Sequence, residues 1–374
     1  MMQFIDLAAQ QVHMKEALDR RIQTVLAHGR YIMGPEVIEL EGALAQFCGA
    51  KHAVTCANGT DALEMALAAL EVGSGDAVFV PSFTFASTAE VVPGTGAVPY
   101  FVDVSPTTFN IDIASLERTM ASAKRDGLRP AAVIPVDLFG LPADYDAISD
   151  LASTQGMSVI ADAAQSFGAS YKERSSGTLG DLTTSSFFPA KPLGCYGDGG
   201  VIFTDSDDWA DLIRSFRVHG KGTEKYDNVR LGRNSRLDTV QAAILLEKLA
   251  HFPDEIDARQ RVADIYSDAL GESVHVPQVP NECRSVWAQY TLRMQSRDQR
   301  DRVRDRLKYN GIPTEVYYPK PLHQQGAFHG NPGDPEGLAV SEQLSETVLA
   351  LPMHPYLSRE DQQRVIDALK SSLS

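Results

Sequence analysis

Between about residues 50 and 205, short apolar runs alternate with stretches of helical spacing, and this alternation restricts the fold more than any other feature of the chain. Residues 52–57, 77–81, 98–102, 131–136, 158–161 and 201–204 read as strands, with helices at 58–70, from about Ser87, and at 144–155. Strands separated by helices are joined by crossovers, which produce parallel pairing with helices covering both faces. The expected fold is α/β, a three-layer, mostly parallel sheet. In such sheets ligands bind beyond the carboxyl ends of the strands, so the loops that follow strands are where chemistry is expected.

The pattern changes further along. Residues 236–251 (RLDTVQAAILLEKLAH) form an amphipathic helix. Phe252-Pro253 is expected to interrupt it, with a charged helix resuming through Arg259 and Tyr266. Residues 287–294 alternate like a strand. A charged helix over 297–310 has Ser296 as its N-cap and Gly311 as its stop, and residues 313–318 read as extended. The expected organisation is a large α/β domain over 1–250, including an N-terminal arm, and a smaller α+β domain over 251–374.

Charge narrows the function. The chain of 374 residues carries 34 basic and 49 acidic residues, a net −15 with histidine neutral. That field repels phosphate backbones, which argues against nucleic-acid binding, and an anionic ligand needs a local cluster of donors. Cys48, Cys56, Cys195 and Cys283 have no metal-ligand spacing. They read as small buried thiols in a reducing compartment, and no metal is expected. The first ten residues lack a basic segment followed by an apolar one, and no apolar run approaches a membrane span. A cytoplasmic location is expected.

Lys191 is the only charged side chain between Asp181 and Asp198, set among aromatics and prolines in LTTSSFFPAKPLGCYGD. Such surroundings desolvate an amine and favour its neutral form, as Schiff-base chemistry requires, although a lysine can also lay its stem on apolar surface and keep its head in water. Asp162 ends the apolar run of MSVIADAAQS, where it is either a partner for a protonated ring nitrogen or a helix N-cap, and Gln165 follows three residues on. Asn58-Gly59-Thr60-Asp61 lies between a strand and a helix. There the helix N–H groups suit either a phosphate or plain capping. Ser186 adds a hydroxyl, and Phe85 in PSFTFAS is either a stacking face or core. Gly94-Thr95-Gly96 follows a helix and is not G-x-G-x-x-G, which removes support for a nicotinamide dehydrogenase.

In their order, the segments CANGTDAL, PSFTF, ADAAQSFGASY, SFFPAKPLGCYGDGG and NSRLD resemble the sugar-nucleotide aminotransferases of the DegT/DnrJ/StrS family, from Phe4 nearly to the end of the chain. The resemblance implies the aspartate-aminotransferase-like fold (fold type I) and pyridoxal 5'-phosphate as cofactor. It implies Lys191 as the lysine that carries the cofactor and moves the proton, Asp162 as partner of the pyridine nitrogen, and Gln165 beside the ring oxygen. It further implies Gly59, Thr60 and Ser186 as the phosphate cradle and Phe85 as the stacking aromatic. Asn234 is implied to reach the phosphate from a neighbouring subunit, so a homodimer with active sites at the interface is expected.

Dehydratases of the family have histidine in place of the cofactor lysine, so the presence of Lys191 favours transamination, with glutamate as the usual donor. FFPAKPLGCYGDGG and LPMHPYL resemble members that aminate a 3-keto sugar uronate for O-antigen or other surface polysaccharide. Arg236 then pairs either with the sugar carboxylate or with an acid such as Asp238. Tyr317 stands where many members carry histidine, and Tyr318 is a sugar-binding candidate. His323, His354 and Tyr31 are further candidates. The rivals are a 3- or 4-amino-deoxyhexose synthase acting on a dTDP- or GDP-sugar and a non-catalytic protein on the same scaffold.

Overall fold

The computed structural model describes residues 2–224 and 226–373. Two helices open the chain, α1 (Leu7–His28) and α2 (Pro35–Cys48), followed by β1 (His52–Cys56), α3 (Gly59–Ala69), β2 (Asp76–Pro81), the single turn α4 (Ser87–Glu90) and β3 (Val98–Val102). Then come α5 (Ile113–Arg125), β4 (Arg129–Val133), α6 (Tyr145–Gln155) and β5 (Ser158–Asp162). Two-residue strands β6 (Ser170–Tyr171) and β7 (Arg174–Ser175) precede β8 (Leu182–Ser186), β9 (Gly200–Thr204), α7 (Asp207–Phe216) and α8 (Thr239–Leu270). The remainder is β10 (Cys283–Arg284), β11 (Tyr290–Arg293), α9 (Arg297–Tyr309), α10 (Ala339–Thr347), β12 (Val348–Leu351) and α11 (Arg359–Leu373).

The main sheet has the order β1-β9-β8-β5-β4-β2-β3. Strands β3, β2, β4, β5 and β8 pair in parallel, whereas β9 runs against both β8 and β1. Alternate side chains face opposite layers. Val78, Val80, Ile134, Ile160 and Leu182 pack under α3 and α7. Ala77, Phe79, Val133 and Val159 pack under α5 and α6. The helices begin on caps readable in the sequence, with Asn58, Asp112, Asp144, Ser206 and Ser296 each accepting a bond from an N–H of the first turn. The mostly parallel three-layer sheet is therefore present.

Three expectations are corrected. The helix from Ser87 lasts one turn, because Pro93 starts a separate 3-10 turn. The strand expected over 131–136 ends at Val133. The interruption at Phe252-Pro253 does not occur, since α8 runs through it for 32 residues. A proline inside a helix costs about 3 kcal/mol, but Leu249, Phe252, Glu255 and Ile256 are all buried around it, and burying one phenyl ring alone returns about 2–3 kcal/mol. The division we propose, 1–250 and 251–374, is thus crossed by a continuous helix. Beyond it, Val262 and Tyr266 of α8 join β11, β12, α9 and α11 in a separate core.

Phe167, just after β5, ties these layers together. Its ring stacks on Phe47 of α2 at 5.4 Å, Phe203 of β9 at 5.9 Å and Phe252 of α8 at 5.7 Å. Phe167→Ala is expected to lower stability by about 3–5 kcal/mol through the cavity it leaves, measured by denaturant unfolding; a loss below about 1 kcal/mol would show that the stack is not a main support of the fold.

Candidate active site

A cavity of about 670 Å³ opens where β1, β2, β5 and β8 end. It brings together Gly59, Thr60, Phe85, Asp162, Gln165, Ser186, Lys191, Tyr317 and Tyr318, nine residues expected from the sequence.

One wall is an anion cradle. Asn58 caps α3 by accepting from Asp61 N at 2.8 Å. Among the described residues, the N–H groups of Gly59 and Thr60, the first two of the helix, bond to no protein group. Thr60 and Ser87 share a hydroxyl–hydroxyl bond of 2.8 Å. Ser186 Oγ accepts from Phe188 N at 3.3 Å, which leaves its proton free to donate. A Cβ on Gly59 would lie 2.8 Å from Ser186 Cβ. Only glycine lets the helix start meet the end of β8 so closely.

The opposite chemistry lies deeper. Asp162, 5% exposed, accepts from Thr88 Oγ1 at 2.9 Å and from Ala164 N at 3.1 Å. Burial raises its pKa, against those two bonds and the charge of Lys191. Lys191 is enclosed by protein but meets the cavity. Desolvation lowers its pKa and the Asp162 charge opposes this. The segment bearing it is held by α8, where Lys248 Nζ donates to Gly194 O and Gln241 Oε1 accepts from Tyr196 N at 2.8 Å.

Gln165 Oε1 accepts from Phe139 N at 2.8 Å, which turns its amide nitrogen to Tyr318 Oη at 3.1 Å. The Phe85 ring is 54% exposed, against the rule for so large an apolar group, and its edge leans on Tyr318. Phe4 packs on Tyr317 at 6.2 Å, and Ile5 lines the cavity beside it.

Asn234 and Arg236 do not line this cavity. Asn234 is exposed on the segment leading to α8, and Arg236 lies between the buried Ser235 and Leu237. Among the described residues Arg236 forms no ion pair, with Asp238 or any other acid. His323 bonds Ser82 Oγ at 2.6 Å and Glu342 at 3.1 Å. His354 is buried and pushed down to about 4 by desolvation and Arg259, and Tyr31 is exposed. Ile5, Ser87, Thr88 and Gln289 were not singled out from the sequence. The hydroxyl pair two and three residues after Phe85 in PSFTFAST was the signal available for Ser87 and Thr88. Among the described residues no cluster of three or more His, Cys, Asp or Glu could hold a metal, and no helix is long and apolar enough to cross a membrane.

A helix start with three hydroxyls suits a phosphate, an exposed phenyl face suits a flat ring, and a desolvated amine suits an aldehyde. A buried carboxylate suits a protonated ring nitrogen. The donor set fits pyridoxal 5'-phosphate, and fold and site together define a pyridoxal-phosphate-dependent aminotransferase of fold type I.

Residues 12–370 match the DegT/DnrJ/EryC1/StrS aminotransferase family, and the chain belongs to it. It is 49% identical over 358 residues to the UDP-2-acetamido-2-deoxy-3-oxo-D-glucuronate aminotransferase of Pseudomonas aeruginosa, covering 96% of each protein. A DegT DnrJ EryC1 StrS aminotransferase structure from Brucella abortus superposes with a TM-score of 0.97 at 50% identity, covering 99% of each chain. The structure of ntda from Bacillus subtilis with bound cofactor PMP gives a TM-score of 0.88 at 28% identity, covering all of this chain and 85% of that one.

Because the Asp162 charge sustains the ammonium form of Lys191, Asp162→Asn is expected to lower the Lys191 pKa further. In cofactor-free protein the pH midpoint for amine modification at Lys191 should move to lower pH, measured by peptide mass spectrometry. An unchanged midpoint would show that the two groups are not electrostatically coupled.

Proposed function

We propose that the chain transfers an amino group from L-glutamate to a 3-keto nucleotide sugar, giving the 3-amino sugar nucleotide and 2-oxoglutarate for O-antigen or another surface polysaccharide. The relative from Pseudomonas aeruginosa makes UDP-2-acetamido-2-deoxy-3-oxo-D-glucuronate the first substrate to test. The observation that carries the reading is the joint presence around one cavity of Lys191, Asp162 and the cradle of Gly59, Thr60 and Ser186.

Pyridoxal phosphate, when bound, supplies a carbonyl that takes up the amino group and a ring that draws electrons from the carbon being deprotonated. The chain supplies the rest. The α3 start and the hydroxyls of Thr60 and Ser186 hold the phosphate, and Phe85 offers a face to the ring. Asp162 keeps a proton on the ring nitrogen. Lys191, once free, takes the proton from the donor's α-carbon and delivers protons in the second half of the cycle, and its lowered pKa suits both roles. Tyr317 and Tyr318 contact the sugar.

Charge supports a dimer. The described cavity-lining residues include three carboxylates, Asp61, Asp162 and Asp198, and a single cation, Lys191. A phosphate and a uronate add further negative charge, which one lysine does not balance. Asn234 and Arg236 lie outside the cavity of their own chain, and Arg236 is without an acidic partner among the described residues. A second copy placing Asn234 at the phosphate and Arg236 at the sugar carboxylate completes the balance.

The first test is the visible spectrum of the holoenzyme, in which the cofactor band should fade on addition of L-glutamate; a band indifferent to glutamate would refute it as donor. Arg236→Ala should cut kcat/KM for the keto-uronate by about tenfold to a hundredfold, as expected for loss of a charge-assisted bond, and spare a neutral keto sugar. Equal losses would favour a dTDP- or GDP-deoxysugar as substrate. Mixing Lys191→Ala with Arg236→Ala subunits should restore part of the activity on the keto-uronate, and failure to do so would count against shared sites.

A further inference from the structure

We propose that Asp137, which no role assigned so far includes, is a positioning residue that sets the ring-oxygen wall of the active site. Asp137 follows β4 and is completely buried. No cation pairs with it among the described residues; instead it gathers three donors. Oδ1 accepts from Ala143 N and Tyr145 Oη, each at 2.9 Å, and Oδ2 accepts from Ser166 Oγ at 2.6 Å. Its own N–H donates to the carbonyl of Asp162 at 3.1 Å. The carboxylate thus clamps two segments, the 138–145 loop and the turn that carries Gln165 and Ser166.

The clamp acts on the one contact that orients Gln165. A carboxamide can be turned either way about its last bond, and which end faces a ligand depends on what holds the other end. Here Phe139 N, in the clamped loop, donates to Gln165 Oε1 at 2.8 Å, so the NH₂ end faces the cavity and Tyr318. Phe139 has a φ of 59°, and Gly140 after it has a φ of 102°. A backbone turned this way costs about 1 kcal/mol or more for a residue with a side chain, so the loop needs external bonds to keep its shape. Asn110 contributes two, accepting from Leu138 N at 3.0 Å and donating to Leu141 O at 2.9 Å. Asp137 contributes the bonds to the far end of the loop and the only side-chain link from it to the Gln165 turn besides Gln165 itself, among the described residues. Burial pushes the Asp137 carboxyl up to about 7 against these donors, with the charge of Asp162 adding to the rise. The three bonds are therefore what the charged form depends on.

The inference rests on the placement of Gln165 beside the ring oxygen, and the test separates the two. Holoenzymes of Asp137→Ala, Ser166→Ala, Asp137→Asn, Gln165→Ala and the Asp137→Ala/Gln165→Ala double variant are compared by cofactor dissociation constant and by the induced circular dichroism of the bound cofactor, with Tm as the control for folding. Gln165→Ala should weaken cofactor binding roughly tenfold, the scale of one buried hydrogen bond. Asp137→Ala should approach that loss and shift the induced band. Ser166→Ala should shift it in the same direction and remains informative if Asp137→Ala does not fold. Asp137→Asn, which can still bond all three partners once Ser166 turns its hydroxyl, should recover most of the signal. The double variant should be no worse than Gln165→Ala. No effect of Gln165→Ala would overturn the placement of Gln165 and the proposal with it. A loss in Gln165→Ala with none in Asp137→Ala or Ser166→Ala, or losses that simply add, would overturn the proposal alone.

Discussion

Asp162 and Lys191 are enclosed together, and burial drives each toward its neutral form while the charge of the other opposes it. The balance falls differently at the two ends. Asp162 has Thr88 and the Ala164 N–H as additional donors, which favour the carboxylate. The Lys191 amine has the field of Asp162 and, among the described residues, no hydrogen-bonded partner. The result is a carboxyl whose donors oppose the loss of its charge and an amine that gives up its proton more easily than a surface lysine. Two titratable groups in one enclosure are thus treated unequally by their surroundings. The remaining parts of the proposed cofactor site, the cradle of Gly59, Thr60 and Ser186 and the Phe85 ring, line the same cavity as these two.

The sheet explains why such a pair can exist. Its central parallel strands are covered on both faces, so polar side chains leave the apolar layers mainly at strand ends. Asp162 ends β5, Ser186 ends β8, and Gly59 and Phe85 come within a few residues of the ends of β1 and β2. Four segments distant in sequence are therefore assembled by topology alone. The close packing of Gly59 on Ser186 shows how little slack this assembly leaves.

What could be read from the sequence follows the strength of local signals. Apolar runs such as Val98–Val102 and caps such as Asn58 and Ser296 are local, and they agree with the structure. β8 escaped notice because LTTSS has no apolar run. Its threonines are buried by the neighbouring strands rather than by their own character. The direction of β9 was equally invisible, because periodicity does not record polarity. Pro253 misled for a related reason: a local cost was outweighed by the burial of Phe252 against residues far away in the chain. At the site, Lys191 stood out by its isolation. Thr88, Ile5 and Gln289 did not, since Thr88 matters only through its bond to Asp162 and the other two only through the cavity they line.

The unbroken course of α8 has a mechanical meaning. Its first half grips the segment around Gly194 and Tyr196 through Gln241 and Lys248, and its last turns are embedded in the C-terminal core through Val262 and Tyr266. The helix is therefore a beam with the segment that bears Lys191 clamped at one end and the smaller core mounted on the other. Pro253 removes one rung of the hydrogen-bond ladder between the two clamps, and the buried Leu249, Phe252, Glu255 and Ile256 brace the helix there instead. One continuous element therefore joins the C-terminal core to the segment that bears Lys191.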